Sequence, residues 1–171
     1  AWRELGAALW DLASDRSGAL RAWERAMALD TERGIENFAA DLIGFAGEGV
    51  AIERLVENGR RRAGVEAAGF FGVAAAIALT AGQKSQAFEC ALATLEADPA
   101  RTEILAIAER SAADSDLDRL EGPLDMLAGV SLGRYGERAV RYRAARQLER
   151  RGVAPRPMRH ALHAVEAGPT E

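Results

Sequence analysis

The chain has 171 residues, 49 % of them apolar, a formal net charge of −4 and a single cysteine. That length supports one domain with a real core or a short repeat array, and the composition excludes a disordered or fibrous chain. The lone Cys90 excludes an internal disulfide and fits a reducing compartment, and the longest apolar stretch, 67–81, is broken by Gly69, Gly72 and Thr80 and is too short to span a bilayer. Apolar residues recur at intervals of three and four and almost never alternate, which predicts helix throughout. The first two helices cover about 1–13 and 17–29, parted by Ser14-Asp15-Arg16-Ser17-Gly18. The third and fourth, about 33–46 and 48–58, meet at Gly47-Glu48-Gly49. The fifth and sixth, about 63–81 and 84–97, flank Ala81-Gly82-Gln83, and Asp98-Pro99 closes the sixth. A seventh follows at about 100–113, and an eighth at about 115–128, which Pro123 should kink or shorten. The ninth and tenth, about 135–151 and 156–167, are separated by a turn from Gly152 to Pro157. Connectors this short imply antiparallel neighbours.

The helices also repeat. Trp2-x-x-Leu5-Gly6-x-x-Leu9 opens the chain, and Ala19-x-x-x-Trp23-x-x-Ala26 precedes Leu29-Asp30. Gly82 and Pro99 are 17 residues apart with Ala87 and Ala91 between them, and Gly152 and Pro169 are 17 apart with Ala161 and Ala164 between them. Thr31, Pro99 and Pro169 are separated by 68 and 70 residues. These features resemble the tetratricopeptide repeat, a pair of helices with Trp, Leu-Gly and a large residue on the first and Ala, an aromatic and Ala on the second. The resemblance implies an all-α, right-handed superhelix of about five antiparallel helix pairs, with units at about 1–31, 32–65, 66–99, 100–134 and 135–169. Units 1, 3 and 5 carry the signature; units 2 and 4 match in length and helical pattern only. Thr94 stands where an Ala is expected, Arg141 where a Trp is expected, and Pro157 where an Ala is expected. Gly6, Ala75 and Ala145 are expected where the two helices of a pair approach closely, and Trp2, Phe71 and Trp23 in the wider gaps between units. One pair cannot bury its apolar face alone, so stacking supplies the core.

Few residues suggest chemistry. Gly129-Val130-Ser131-Leu132-Gly133 is formally G-x-S-x-G, with His160 and His163 downstream. A hydrolase would need a strand before that turn, and 117–128 reads as helix, so the string is expected to be a connector. His160 and His163 share a helix face, but Glu166 is the only near carboxylate and a zinc site needs three or four ligands. Cys90 is expected to be a small buried residue without an activating base. Arg60-Arg61-Arg62 is expected to be a solvated helix end. The chain is therefore expected to be no enzyme and to need no metal or cofactor.

The charge is uneven: residues 1–133 carry 13 basic and 22 acidic side chains, residues 134–171 carry 9 and 4. Arg138, Tyr142, Arg146 and Arg150 are spaced by four, so they form one stripe on the ninth helix. The resemblance places that stripe on the concave side, where the family binds extended peptides through its first helices. Arginine forks suit partner carboxylates there, and Tyr142 adds an amphipathic ring. The corresponding positions of unit 3, Gly72, Ala76 and Leu79, are small and apolar. The expected role is a protein- or peptide-binding scaffold for a segment with acidic residues; the alternative is a self-assembling module in which the acidic units of one copy dock on the basic unit of another. Neither a nucleic acid nor a membrane is an expected partner. With 21 Arg and one Lys, no visible leader and Ala1 at the start, the chain reads as a cytoplasmic piece of a larger bacterial repeat protein from a GC-rich genome.

Overall fold

The computed structural model of the chain describes residues 1–113 together with Asp116, Arg119, Leu120, Gly122, Pro123, Met126 and Tyr142. Every regular element among these residues is helical. The helices are α1 (Trp2–Asp11), α2 (Arg16–Leu29), α3 (Gly34–Ala46), α4 (Glu48–Arg60), α5 (Gly64–Thr80), α6 (Lys84–Ala97) and, after a 3-10 turn at Thr102–Ile104, α7 (Leu105–Ser111). Residues 119, 120, 122, 123, 126 and 142 are also helical. The ninth and tenth predicted helices otherwise lie outside the described residues, as do Ala145 and most of the eighth.

Each break has a local cause. Between α1 and α2, Ser14 takes a left-handed φ of 53°, and the Asp15 carboxylate caps α2 by accepting the Gly18 N–H at 2.8 Å and the Ser17 hydroxyl at 2.9 Å. Between α2 and α3, the Asp30 carboxylate accepts the N–H groups of Glu32 and Arg33 at 3.1 and 2.9 Å and the Asn37 side-chain amide at 2.8 Å. One residue, Gly47, joins α3 to α4. Its φ of 87° is open to glycine at little cost, and its N–H donates to the carbonyls of Leu42 and Ile43, both at 3.1 Å. At the end of α4 the Arg62 guanidinium donates to the Asn58 carbonyl and side-chain oxygen at 2.8 and 3.0 Å. Asp98 accepts the Ala100 N–H at 3.1 Å where α6 gives way to the 3-10 turn, so the seventh helix winds into α geometry later than its apolar spacing suggests.

Each helix packs on its successor. In addition, α1 touches α3, α3 touches α5, and α5 touches α7. The core runs along this stack through Trp23, Phe38, Leu42, Ile52, Leu55, Phe88 and Leu95, all buried. Helix α5 meets α3, α4, α6 and α7, which is why its sequence is apolar on nearly every side. Alanines at 74, 75, 78, 87 and 91 are fully buried in α5 and α6, where a small side chain lets two helices come close. Thr94 replaces the expected Ala without leaving an unpaired hydroxyl, since its Oγ donates to the Cys90 carbonyl at 2.8 Å.

Gly6 lies where α1 and α2 approach closely, buried directly against the Trp23 indole. Trp23 is therefore packed inside its own pair as well as against Phe45 of α3, and not only in the gap between units. Phe71 is half-buried and spans the gap to Gly59 of α4. Trp2 departs from expectation. It is 43 % exposed instead of filling a gap between units, and Leu5 is 44 % exposed.

Candidate docking clefts

Of the predicted stripe, Tyr142 is helical and 57 % exposed. Arg138, Arg146 and Arg150 lie outside the described residues, as do Ser131, His160 and His163. On the corresponding face of α5, Ala76 is exposed and Leu79 half-buried. Gly72 does not belong to that surface, since it is buried beneath Ile104 and Thr94.

Cys90 is buried, and burial pushes its thiol up to about 11, with Glu89 adding to the shift and Arg60 opposing it. At neutral pH it is a protonated, packed side chain, as its sequence position suggests. Among the described residues no group of three His, Cys, Asp or Glu is placed to hold a metal ion. In the basic triplet, Arg61 pairs with Glu57, and Arg62 lies 4.5 Å from the Phe70 ring centre while capping α4. Arg62 is thus a packed residue rather than a solvated one.

Two clefts on the described surface flank an aromatic cluster. The Trp23 ring stacks on Phe45 at 5.1 Å and lies 5.8 Å from Trp10, and Trp10 lies 6.4 Å from Phe45. The Trp23 Nε1–H donates to the Arg3 carbonyl at 3.2 Å, satisfying the only polar atom of a buried indole. Phe45 lines both clefts.

The first cleft, about 610 Å³, opens between the start of α1, the end of α2 and the second half of α3. Trp2, Ala7, Ala26, Leu29 and Phe45 form its apolar wall. Its polar wall is a bidentate pair in which Arg3 donates to both oxygens of Asp41, at 2.7 and 2.6 Å, with Asp30 and Glu4 beside it. That pairing raises the Arg3 pKa. The Asp30 carboxyl is held below its ordinary value, chiefly by the Arg33 N–H and then by Asn37. Acidic groups outnumber basic side chains in this lining.

The second cleft, about 350 Å³, lies between α2 and α4, which do not pack closely on each other. Trp10, Leu20, Phe45, Ala46 and Val50 make it apolar, and Arg16 and Arg54 make it basic. The Arg16 guanidinium stands 5.3 Å from the Trp10 ring centre.

Trp10, Phe45, Arg16, Arg54 and Asp41 belong to no motif of the sequence. The one available signal was compositional: all three tryptophans fall within the first 23 residues of a chain that is 6 % aromatic. No helix among the described residues is long and apolar enough to cross a membrane. The chain matches no protein-family model and no curated protein.

Proposed function

We propose that this chain is a helical-repeat scaffold of the tetratricopeptide type, wound as a right-handed superhelix, that binds a protein segment in a groove lined by its first helices. The supporting observation is the packing of α1 on α3, α3 on α5 and α5 on α7, which runs one row of helices along the stack. A cleft with apolar walls and fixed charges opens between the first two members of that row. Such a row suits an extended or helical segment, since each helix presents side chains to the same side. On this reading Arg138, Tyr142, Arg146 and Arg150 continue the groove as its basic end and grip carboxylates of the segment. The scaffold catalyses nothing, needs no cofactor and works in the bacterial cytoplasm.

An array of acidic peptides probed with the full chain tests the reading. A retained peptide should bind more weakly as salt rises, and Arg138→Glu with Arg146→Glu should weaken it by about tenfold or more. Affinity unchanged by both substitutions removes the stripe from the groove, and failure to retain any peptide removes the groove.

A second reading is self-assembly. Trp2 and Leu5 on α1 and Leu12 just past its end are 43 %, 44 % and 87 % exposed. Residues 134–171 carry the opposite net charge to the rest of the chain, so the acidic first four units of one copy complement the basic fifth unit of another. Sedimentation across concentrations separates the two readings, because a strict monomer rules out head-to-tail stacking.

A further inference from the structure

The second cleft is not part of the first-helix groove. Its rim is built by the second helices, α2 and α4, and its floor by Trp10 and Phe45 reaching through from α1 and α3. Gly47, the single residue between α3 and α4, brings Phe45, Ala46 and Val50 to one spot.

Its charge runs against its surroundings. Residues 1–113 carry 17 acidic and 12 basic side chains, yet the charged groups lining this cleft are Arg16 and Arg54, with no carboxylate among them. Arg16 is exposed and makes no ion pair among the described residues; its contact is the Trp10 face. Arg54 gives one terminal nitrogen to Glu57 at 2.8 Å and is 41 % exposed, so its other donors remain open to a second carboxylate. Two arginine forks beside an apolar floor complement an apolar side chain flanked by carboxylates. At about 350 Å³ the space is near the lower end of ligand pockets, about 300–1,000 Å³, which suits one inserted side chain rather than a folded surface.

We propose that the cleft between α2 and α4 is a second docking site, on the far side of the aromatic cluster from the first-helix groove, for an acidic peptide segment. The segment seats a large apolar side chain against Trp10 and Phe45 and sets carboxylates on Arg16 and Arg54. The first cleft has the opposite charge balance, so the same segment prefers the second.

The three indole N–H signals of the chain report on the choice, since Trp2 lines the first cleft, Trp10 the second, and Trp23 the wall between them. The probe is the peptide Asp-Glu-Phe-Leu-Glu-Asp, blocked at both ends, titrated into the ¹⁵N-labelled full chain, with Lys-Arg-Phe-Leu-Arg-Lys as the charge control. Trp2→Phe and Trp10→Phe assign the signals. The acidic peptide should shift the Trp10 signal and leave Trp2 in place. Arg16→Glu should weaken that binding by about tenfold, with Arg54→Gln acting in the same direction. Val50→Phe, which fills the cleft without changing charge, should block it.

A Trp10 signal unmoved at millimolar acidic peptide, or moved equally by the basic one, overturns the proposal. A shift that survives both Arg16→Glu and Val50→Phe does the same. A Trp10 signal that moves with chain concentration in the absence of peptide assigns the cleft to a second copy and also overturns it.

Discussion

Gly6→Ala is the sharpest perturbation of the first helix pair, because two known effects oppose each other there. In an open helix interior, alanine is preferred to glycine by about 1 kcal/mol. At Gly6 the added Cβ would land 2.2 Å from Trp23 Nε1, 2.5 Å from Cδ1 and 2.7 Å from Cε2. Carbon atoms in contact prefer about 3.5–4.0 Å, so the indole must move by about 1 Å or α1 must lift away. Trp23 has little freedom to move, being 1 % exposed, stacked on Phe45 and bonded to the Arg3 carbonyl. Overpacking of this kind costs about 1–3 kcal/mol, and a lost hydrogen bond adds about 1 kcal/mol. After the propensity gain, the net expectation is a loss of about 1–3 kcal/mol. Gly44→Ala in α3 supplies the contrast: no atom lies within 4 Å of its added Cβ, so it should gain about 0.5–1 kcal/mol. Urea denaturation followed by far-UV circular dichroism reads both as shifts of midpoint. In a Trp23→Leu background the clash is relieved, so Gly6→Ala should cost less there than in the parent chain. Stabilisation of the parent chain by Gly6→Ala, as by Gly44→Ala, would refute close packing of Trp23 on Gly6.

Three further outcomes are expected. Trp23→Ala should cost about 3–5 kcal/mol in the same denaturation assay, since a buried aromatic side chain is removed from between Trp10 and Phe45. The carboxyls of Asp15, Asp30 and Glu89 are all held below their ordinary values, by the Gly18 N–H, the Arg33 N–H and the Arg119 guanidinium respectively. A depressed carboxyl stabilises the folded chain above its unfolded pKa and loses that contribution as pH falls through its folded pKa. Thermal midpoints should therefore fall below about pH 4, and Asp15→Asn with Asp30→Asn should flatten that fall while keeping side-chain caps. Cys90, with its thiol pushed up to about 11, should react with a disulfide reagent at mildly alkaline pH far more slowly in the folded chain than in urea; equal rates would place the thiol at the surface.

What the sequence made legible, and what it did not, divides by the distance over which a feature is built. Helix ends depend on residues within one turn of each other, such as Asp15 with Gly18 or Gly47 with Leu42. The first six helices accordingly lie within about three residues of where the apolar spacing and the turn residues put them, while α7 starts late, after a 3-10 turn. Gly6 was legible as a small residue at a helix crossing, but that Trp23 is the side chain it meets was not, because the repeat pattern puts that indole between units. The same pattern misled at Trp2 and Leu5, since a motif position is buried only when a neighbouring helix covers it. Gly72 misled for a related reason: helix spacing put it in line with Ala76, but Ile104, 32 residues further on, folds over it. The clefts were the least legible feature. Their walls are helices two apart in the chain, and their shape depends on Phe45, whose place on the apolar stripe of α3 with Phe38 and Leu42 marks it for packing and not for a cleft wall. A single Phe45 side chain closes one side of each cleft, so Phe45→Ala should join the two spaces across the aromatic cluster. Peptide selectivity between the Trp2 and Trp10 signals should then be lost along with stability, whereas Val50→Phe should abolish the Trp10 response alone.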